Sequence, residues 1–252
     1  MLRKRNLYDP DSNQPFALSR TKIENFIQCP RCFYLDRRLG VGRPPGFPFN
    51  LNSAVDELLK REFDTYRAGG VPHPYMVEAG IDAIPANHPQ LADWRQNFKG
   101  VRTLHEPTNL EIFGAIDDLW VDANGNYIVV DYKATSKKGE VSLDADWQMS
   151  YKRQMEIYQW LLRKNGLDVS NRCWFVYCNG RRDSANFNEK IDFDVRLLSY
   201  EGNDQWVGSA LSELVGVLKA PAPPQYSTDC EYCEYQVLSR KSIFPNYDKV
   251  AE

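Results

Sequence analysis

Two matched pairs of cysteines, Cys29-Pro-Arg-Cys32 and Cys230-Glu-Tyr-Cys233, stand near opposite ends of a 252-residue chain. Equal Cys-x-x-Cys spacings suit tetrahedral capture of one metal by four thiolates. Any fold that brings them together must clasp an N-terminal helix to the C-terminal tail. The basic start, "MLRKRNLYDPDSNQPF", has no apolar segment behind it, so the expected setting is cytoplasmic, where metal binding is favoured over disulfides. Cys173 and Cys178, in "NRCWFVYCNG", read as packing residues on or beside a strand.

The chain is 42% hydrophobic, enough for a substantial core in one large domain or two small ones. No run approaches the ~18 apolar residues of a membrane span, so no membrane partner is expected. A formal net charge of -3 excludes a global positive field of the kind that recruits nucleic acid. Basic residues nevertheless cluster, at Arg37, Arg38 and Arg43, Lys137-Lys138, Lys152-Arg153, Arg163-Lys164 and Arg181-Arg182. Each reads singly as solvated surface, and several on one groove would form a track for a phosphate backbone.

Periodicity predicts helices over 21–38, 53–67, 147–165 and 204–218, the first opened by a Thr21/Glu24 capping box. Strands are predicted over 109–122, 127–134, 172–178 and 190–197, while 70–108 gives no pattern. A hairpin, a helix and another strand imply an α/β fold with a mixed central sheet flanked by helices.

The strand "YIVVDYK" is apolar until it ends in Asp131 and Lys133, which side-chain alternation puts on one face. In the preceding "VDANGNY", a two-residue Asn124-Gly125 turn sets Asp118 opposite Asp131, and a three-residue loop ending in a left-handed Gly125 sets Asp117 there. Facing carboxylates destabilise a sheet pair unless compensated, and a hard divalent cation compensates them; solvation at the hairpin end is the simpler alternative. Asp56, in "NLNSAVDELLKREF", lies at the edge of an apolar helix face, though Ser53 and Asp56 are also spaced as a capping pair. In "YKRQMEIYQWLL", Gln154 and Tyr158 stand one turn apart on a partly apolar stripe, suited either to packing or to presenting an amide and a phenol to a site.

In this order the pieces resemble the PD-(D/E)XK nuclease superfamily, particularly its RecB-like branch, which includes the CRISPR-adaptation exonucleases. The matching residues are "GAID" with Asp117, "VVDYK" with Asp131 and Lys133, "QMEIY" with Gln154 and Tyr158, and the opening "LSRTKIENFIQCPRCFYL". The resemblance implies a restriction-endonuclease-like core over 18–240, with an N-terminal extension (1–17) and a C-terminal tail (241–252). It implies Mg2+ or Mn2+ held by Asp117, Asp131 and the Tyr132 carbonyl, with Lys133 the catalytic lysine, and so favours the three-residue loop. Gln154 and Tyr158 would orient the site.

Two features depart from that branch. Asp56 stands where an early helix usually carries a histidine ligand, and remains a candidate ligand. The branch's 4Fe-4S clusters usually take one early and three late cysteines, whereas this chain has two and two, which leaves 4Fe-4S and Zn2+ in competition. The expected function is DNA hydrolysis, as an exonuclease, with a protein partner in a DNA-processing complex. The alternative is a noncatalytic nucleic-acid-binding or scaffold subunit that keeps the fold.

Overall fold

A computed structural model describes residues 4–46 and 48–244. Residues 245–252 of the expected tail and 1–3 of the expected extension lie outside the described residues. In chain order the elements are β1 (Phe16–Ser19), α1 (Arg20–Gln28), α2 (Pro30–Arg38), α3 (Asn50–Gly69), α4 (Pro74–Glu78), β2 (Ala83–Pro85), α5 (Leu91–Trp94), β3 (Val101–His105), β4 (Leu110–Gly114), β5 (Asp118–Asp122), β6 (Tyr127–Thr135), α6 (Met149–Lys164), β7 (Arg172–Gly180), β8 (Phe193–Glu201), α7 (Val207–Lys219) and α8 (Glu231–Ile243). Two compact units emerge: 1–46, 104–111 and 208–252 form one, and 47–103 with 112–207 the other. Among the described residues, no helix is long and apolar enough to cross a membrane.

The second unit is built on a five-stranded mixed sheet of order β2-β5-β6-β7-β8, in which only β6 and β7 run parallel. β6 is central, and its alternating side chains serve two faces. Val130 and Tyr132 join Leu59 and Phe63 of α3, with Trp120, Val176 and Cys178, in a buried core. Phe63 stacks on His73 at a centroid distance of 4.3 Å and on Trp120 at 5.7 Å. Asp131 and Lys133 therefore point the other way, where Gln154 of α6 meets Asp131. A three-stranded sheet has the order β1-β4-β3.

Three predicted elements differ in the structure. The helix expected over 21–38 breaks at Cys29, which is extended (φ -161°) ahead of Pro30 at the first position of α2. Proline lacks the N–H that helix continuation requires and pushes its predecessor out of the helical region. Nor does the expected capping box form, since Ser19 occupies the N-cap and provides no side-chain cap. The strand expected over 109–122 is two strands in different sheets. Between them the backbone is held outside the ladder, with Ile116 N–H bonded to Trp94 C=O (3.1 Å) and Asp117 C=O accepting from Arg95 Nε (2.9 Å). The last strand starts at Phe193 rather than 190, after a turn with Asn188 and Glu189 at positive φ.

Candidate active site and cysteine centre

The hairpin register places the acids. β5 pairs with β6 through Asp118 opposite Val130 and Trp120 opposite Ile128. One step further brings Asp117 level with Asp131. Gly125 has φ +85° within a loop closed by Asp122 N–H to Asn126 C=O at 3.0 Å, the three-residue arrangement. Asp117 stands just before β5, and its Oδ2 accepts the Tyr132 N–H at 3.1 Å.

Asp131 is fully buried. Its Oδ1 accepts from Gln154 Nε2 at 2.7 Å, and the same amide nitrogen lies 3.2 Å from the Tyr158 hydroxyl. Its Oδ2 is in ion-pair contact with Lys133 Nζ. Burial, with the nearby Asp117 charge, pushes the Asp131 carboxyl up to about 7 against the opposing pull of Lys133. Asp117 goes the other way: burial is outweighed by Lys60 and Lys133 and by the Tyr132 N–H, which hold it below the usual carboxylate range. Burial also opposes the Lys133 charge, but Asp131 and Asp117 raise its pKa, and Nζ sits 4.5 Å above the Tyr151 ring.

Asp56 is two turns into α3, because the helix starts at Asn50; it is not a capping residue, and Ser53 Oγ instead bonds back to Phe49 C=O. Its partner is Lys60, which lies 2.7 Å from Asp56 and 3.3 Å from Asp117. Burial and the Asp117 charge raise the Asp56 pKa. The structure thus joins Asp117 to Tyr132 through the Tyr132 N–H, and Asp131 to Lys133, Gln154 and Tyr158, while Asp56 reaches Asp117 only through Lys60. Among the described residues the oxygens of Asp56, Asp117 and Asp131 do not all lie within 4.8 Å of one another, as the sulfurs of the four cysteines do.

Sequence reasoning missed Lys60, although it lies one turn after Asp56 on α3, and it missed the support beneath the acids. Buried Asp118 accepts from Arg67, from Arg95 Nη2 at 2.8 Å, from Leu119 N–H at 2.7 Å and from the Tyr132 hydroxyl at 2.5 Å. Both oxygens of Asp64 accept from one nitrogen, Arg95 Nη1 (2.9 Å each), and Oδ1 also accepts from Arg67 Nε (3.0 Å). Asp64 and Arg67 continue the Asp56–Lys60 face of α3, a legible signal; Arg95 falls in the stretch that gave no pattern.

Of the basic clusters, two converge. Lys137, Lys138, Arg181, Arg182 and Arg196 line one groove with Glu140, Asp183 and Asp194. A second groove of about 600 Å³, lined by Tyr151, Ala134, Phe49, Arg181 and Arg182 among others, shares the two arginines and the Tyr151 ring beneath Lys133. Asn179 fixes the intervening loop by bonding both the N–H (2.9 Å) and the C=O (3.1 Å) of Lys137. Arg37 is buried against Asp36, and Arg163 pairs with Asp204 at 2.7 Å.

In the first unit the four predicted cysteine sulfurs lie within 4.8 Å of one another, all buried. None of the described cysteines is in a disulfide. Burial raises the Cys29 thiol, but backbone hydrogen bonds from Cys32 and Ser227 bring it down to about 7. Cys173 and Cys178 are buried packing residues of β7, and Cys173 Sγ reaches Tyr200 C=O at 3.2 Å.

The sequence model of the PD-(D/E)XK nuclease superfamily matches residues 17–238. A search of curated protein sequences returns no significant match. Among solved structures, that of SSO0001 aligns with a TM-score of 0.38 at 16% identity, covering 92% of this chain and 87% of that one.

Proposed function

The chain belongs to the PD-(D/E)XK nuclease superfamily, and we propose that it is a RecB-like deoxyribonuclease that uses Mg2+ or Mn2+ to hydrolyse phosphodiester bonds, acting from DNA ends. The observation that carries this reading is the fully buried Asp131 carboxyl, set between a second carboxylate, Asp117, and the Lys133 ammonium. An all-oxygen donor set of Asp56, Asp117, Asp131 and the Tyr132 carbonyl fits a hard divalent cation. Such a cation, when bound, polarises the scissile phosphate and lowers the pKa of water.

The protein's own groups have separable parts. Lys133, with its pKa raised, keeps its charge near neutral pH and serves as a fixed cation facing a developing negative charge, not as a proton acceptor. Gln154 holds Asp131 in one rotamer, and Tyr158 holds Gln154. Asp118, Arg67 and Arg95 brace the hairpin, with Arg95 fixing the Asp117 carbonyl. The groove of Lys137, Lys138, Arg181 and Arg182 is the proposed path of the phosphate backbone, and a protein partner in a DNA-processing complex would set the pathway.

The test is cleavage of end-labelled linear and circular DNA with Mg2+, Mn2+ or EDTA, beside Asp131→Ala. Cation-dependent loss of linear substrate that is abolished in the variant supports the reading, and circular DNA left intact supports action from ends. Equal cleavage by the variant, in a preparation free of contaminating nuclease, refutes it.

A further inference from the structure

Both Cys-x-x-Cys pairs are built the same way. Cys29 is the N-cap of α2 and Cys32 its third residue; Cys230 is the N-cap of α8 and Cys233 its third residue. Each N-cap cysteine has its carbonyl inside the first turn, with Phe33 N–H to Cys29 C=O at 3.1 Å and Glu234 N–H to Cys230 C=O at 3.0 Å. Two helix starts thus present two sulfurs each, from the positive ends of their dipoles, which favours thiolates.

The spacing between those sulfurs decides what they hold. Cys29 and Cys233 are 3.8 Å apart, Cys32 and Cys230 3.6 Å, and Cys32 and Cys233 3.5 Å. A zinc ion with Zn–S bonds of about 2.3 Å has tetrahedral S···S edges of about 3.8 Å. In a 4Fe-4S cluster each thiolate sits on a different iron at a corner of a cube, which spreads the sulfurs to roughly 6 Å. The largest separation here is held within 4.8 Å, so a cube would force the two helix starts apart. We propose that Cys29, Cys32, Cys230 and Cys233 hold one tetrahedral zinc-class ion in place of the iron–sulfur cluster that RecB-like relatives imply, with Arg43 offsetting its charge.

Four thiolates on one dication leave a net charge of -2, which a buried site must compensate. Arg43 is the group in position. Its Nη2 lies 3.8 Å from Cys230 Sγ, its Nη1 is held by Gln28 Oε1 at 2.8 Å, and its guanidinium stacks 4.7 Å from the Tyr232 ring. Binding is a proton-for-metal exchange in which each Zn–S bond forms as a thiol proton leaves for water, and no oxidant or reductant takes part.

The test reads metal content and not cleavage, so it stands apart from the nuclease reading. The full chain, purified without air and stripped, is offered zinc in one sample and equal amounts of ferrous and ferric iron with sulfide in another, so that a cluster can form with no further oxidant, and the second is then challenged with equimolar zinc. One zinc per chain, no retained sulfide after the challenge, and the visible bands of a tetrahedral tetrathiolate when cobalt replaces zinc are the expected results. A Cys230→Ser variant should lose them. If that variant does not fold, Arg43→Ala should still fold and bind zinc about 10-fold more weakly in competition with a chromophoric chelator, with Arg43→Lys in between. A four-iron, four-sulfide centre that survives the zinc challenge overturns the proposal. So does a folded chain that takes up no zinc.

Discussion

Lys60 Nζ lies 3.3 Å from Asp117 Oδ1, drawing an α3 side chain to the acid just before β5. The same ammonium holds Asp56 at 2.7 Å, so one lysine neutralises two of the proposed ligands. Both partners are partly exposed, which limits the pair to about 1 kcal/mol or less. Lys60→Met should therefore lower the thermal midpoint only slightly without divalent cations. With Mg2+ or Mn2+ added it should gain more stabilisation than the wild type, because the cation no longer competes with an ammonium. Melting curves across a cation titration check this, and a variant that loses its cation response would show that Lys60 organises the site.

Beneath the acids, Asp118 is completely buried and receives both Arg67 and Arg95. Removing one member of such a group leaves uncompensated buried charge, which typically costs about 3–5 kcal/mol. Asp118→Ala should show a loss of that size in urea unfolding, far beyond Lys60→Met. An unchanged midpoint would mean that the two arginines are satisfied by Asp64 and the backbone alone.

Much of this arrangement was legible in the sequence. Asp131 and Lys133 on one face followed from strand alternation, and Gln154 with Tyr158 from helical spacing; the structure places the four together. The hairpin register had two readings from the loop alone, because nothing local says whether Ala123 belongs to the turn. The break after Gly114 was not legible, since it depends on Trp94 and Arg95, whose segment carries no periodic pattern. The break at Cys29 was legible in principle: Pro30 cannot continue a helix, and the apolar periodicity on either side hid it. Lys60 was passed over because an acid and a base four apart on a helix ordinarily mark a solvated surface pair.

Asp36 gives a pH dependence of known sign. It is buried with Lys22 Nζ at 2.6 Å and Arg37 Nη2 at 2.9 Å. Burial alone would raise its pKa, but Arg37 and Lys22 hold it below the usual carboxylate value. A folded pKa below the unfolded value of about 3.9 means the contribution is fully present above that pH and is lost as pH falls through the folded pKa. Asp36→Asn should be less stable than the wild type at pH 7. The gap should close in acid, below the folded pKa. Unfolding of both proteins at several pH values measures it; a gap that stays constant would assign the loss to packing instead of charge.

The groove beside β6 makes a ranked prediction. Arg181 is paired with Asp183 at 3.1 Å and Arg196 with Glu140 at 3.2 Å, so their charges are partly spent within the protein. Lys137, Lys138 and Arg182 have no ion-pair partner among the described residues. If the groove carries a phosphate backbone, each unpaired cation removed should lower the slope of log affinity against log salt by about 1, and each paired one by less. Lys138→Ala and Arg182→Ala should thus weaken DNA binding more than Arg196→Ala, with thermal stability unchanged in all three. Binding titrations at several salt concentrations, with EDTA present to prevent cleavage, separate the cases. Equal slopes in every variant would place the strand elsewhere, whereas a steeper loss for Arg196 would mean that Glu140 releases it when nucleic acid arrives.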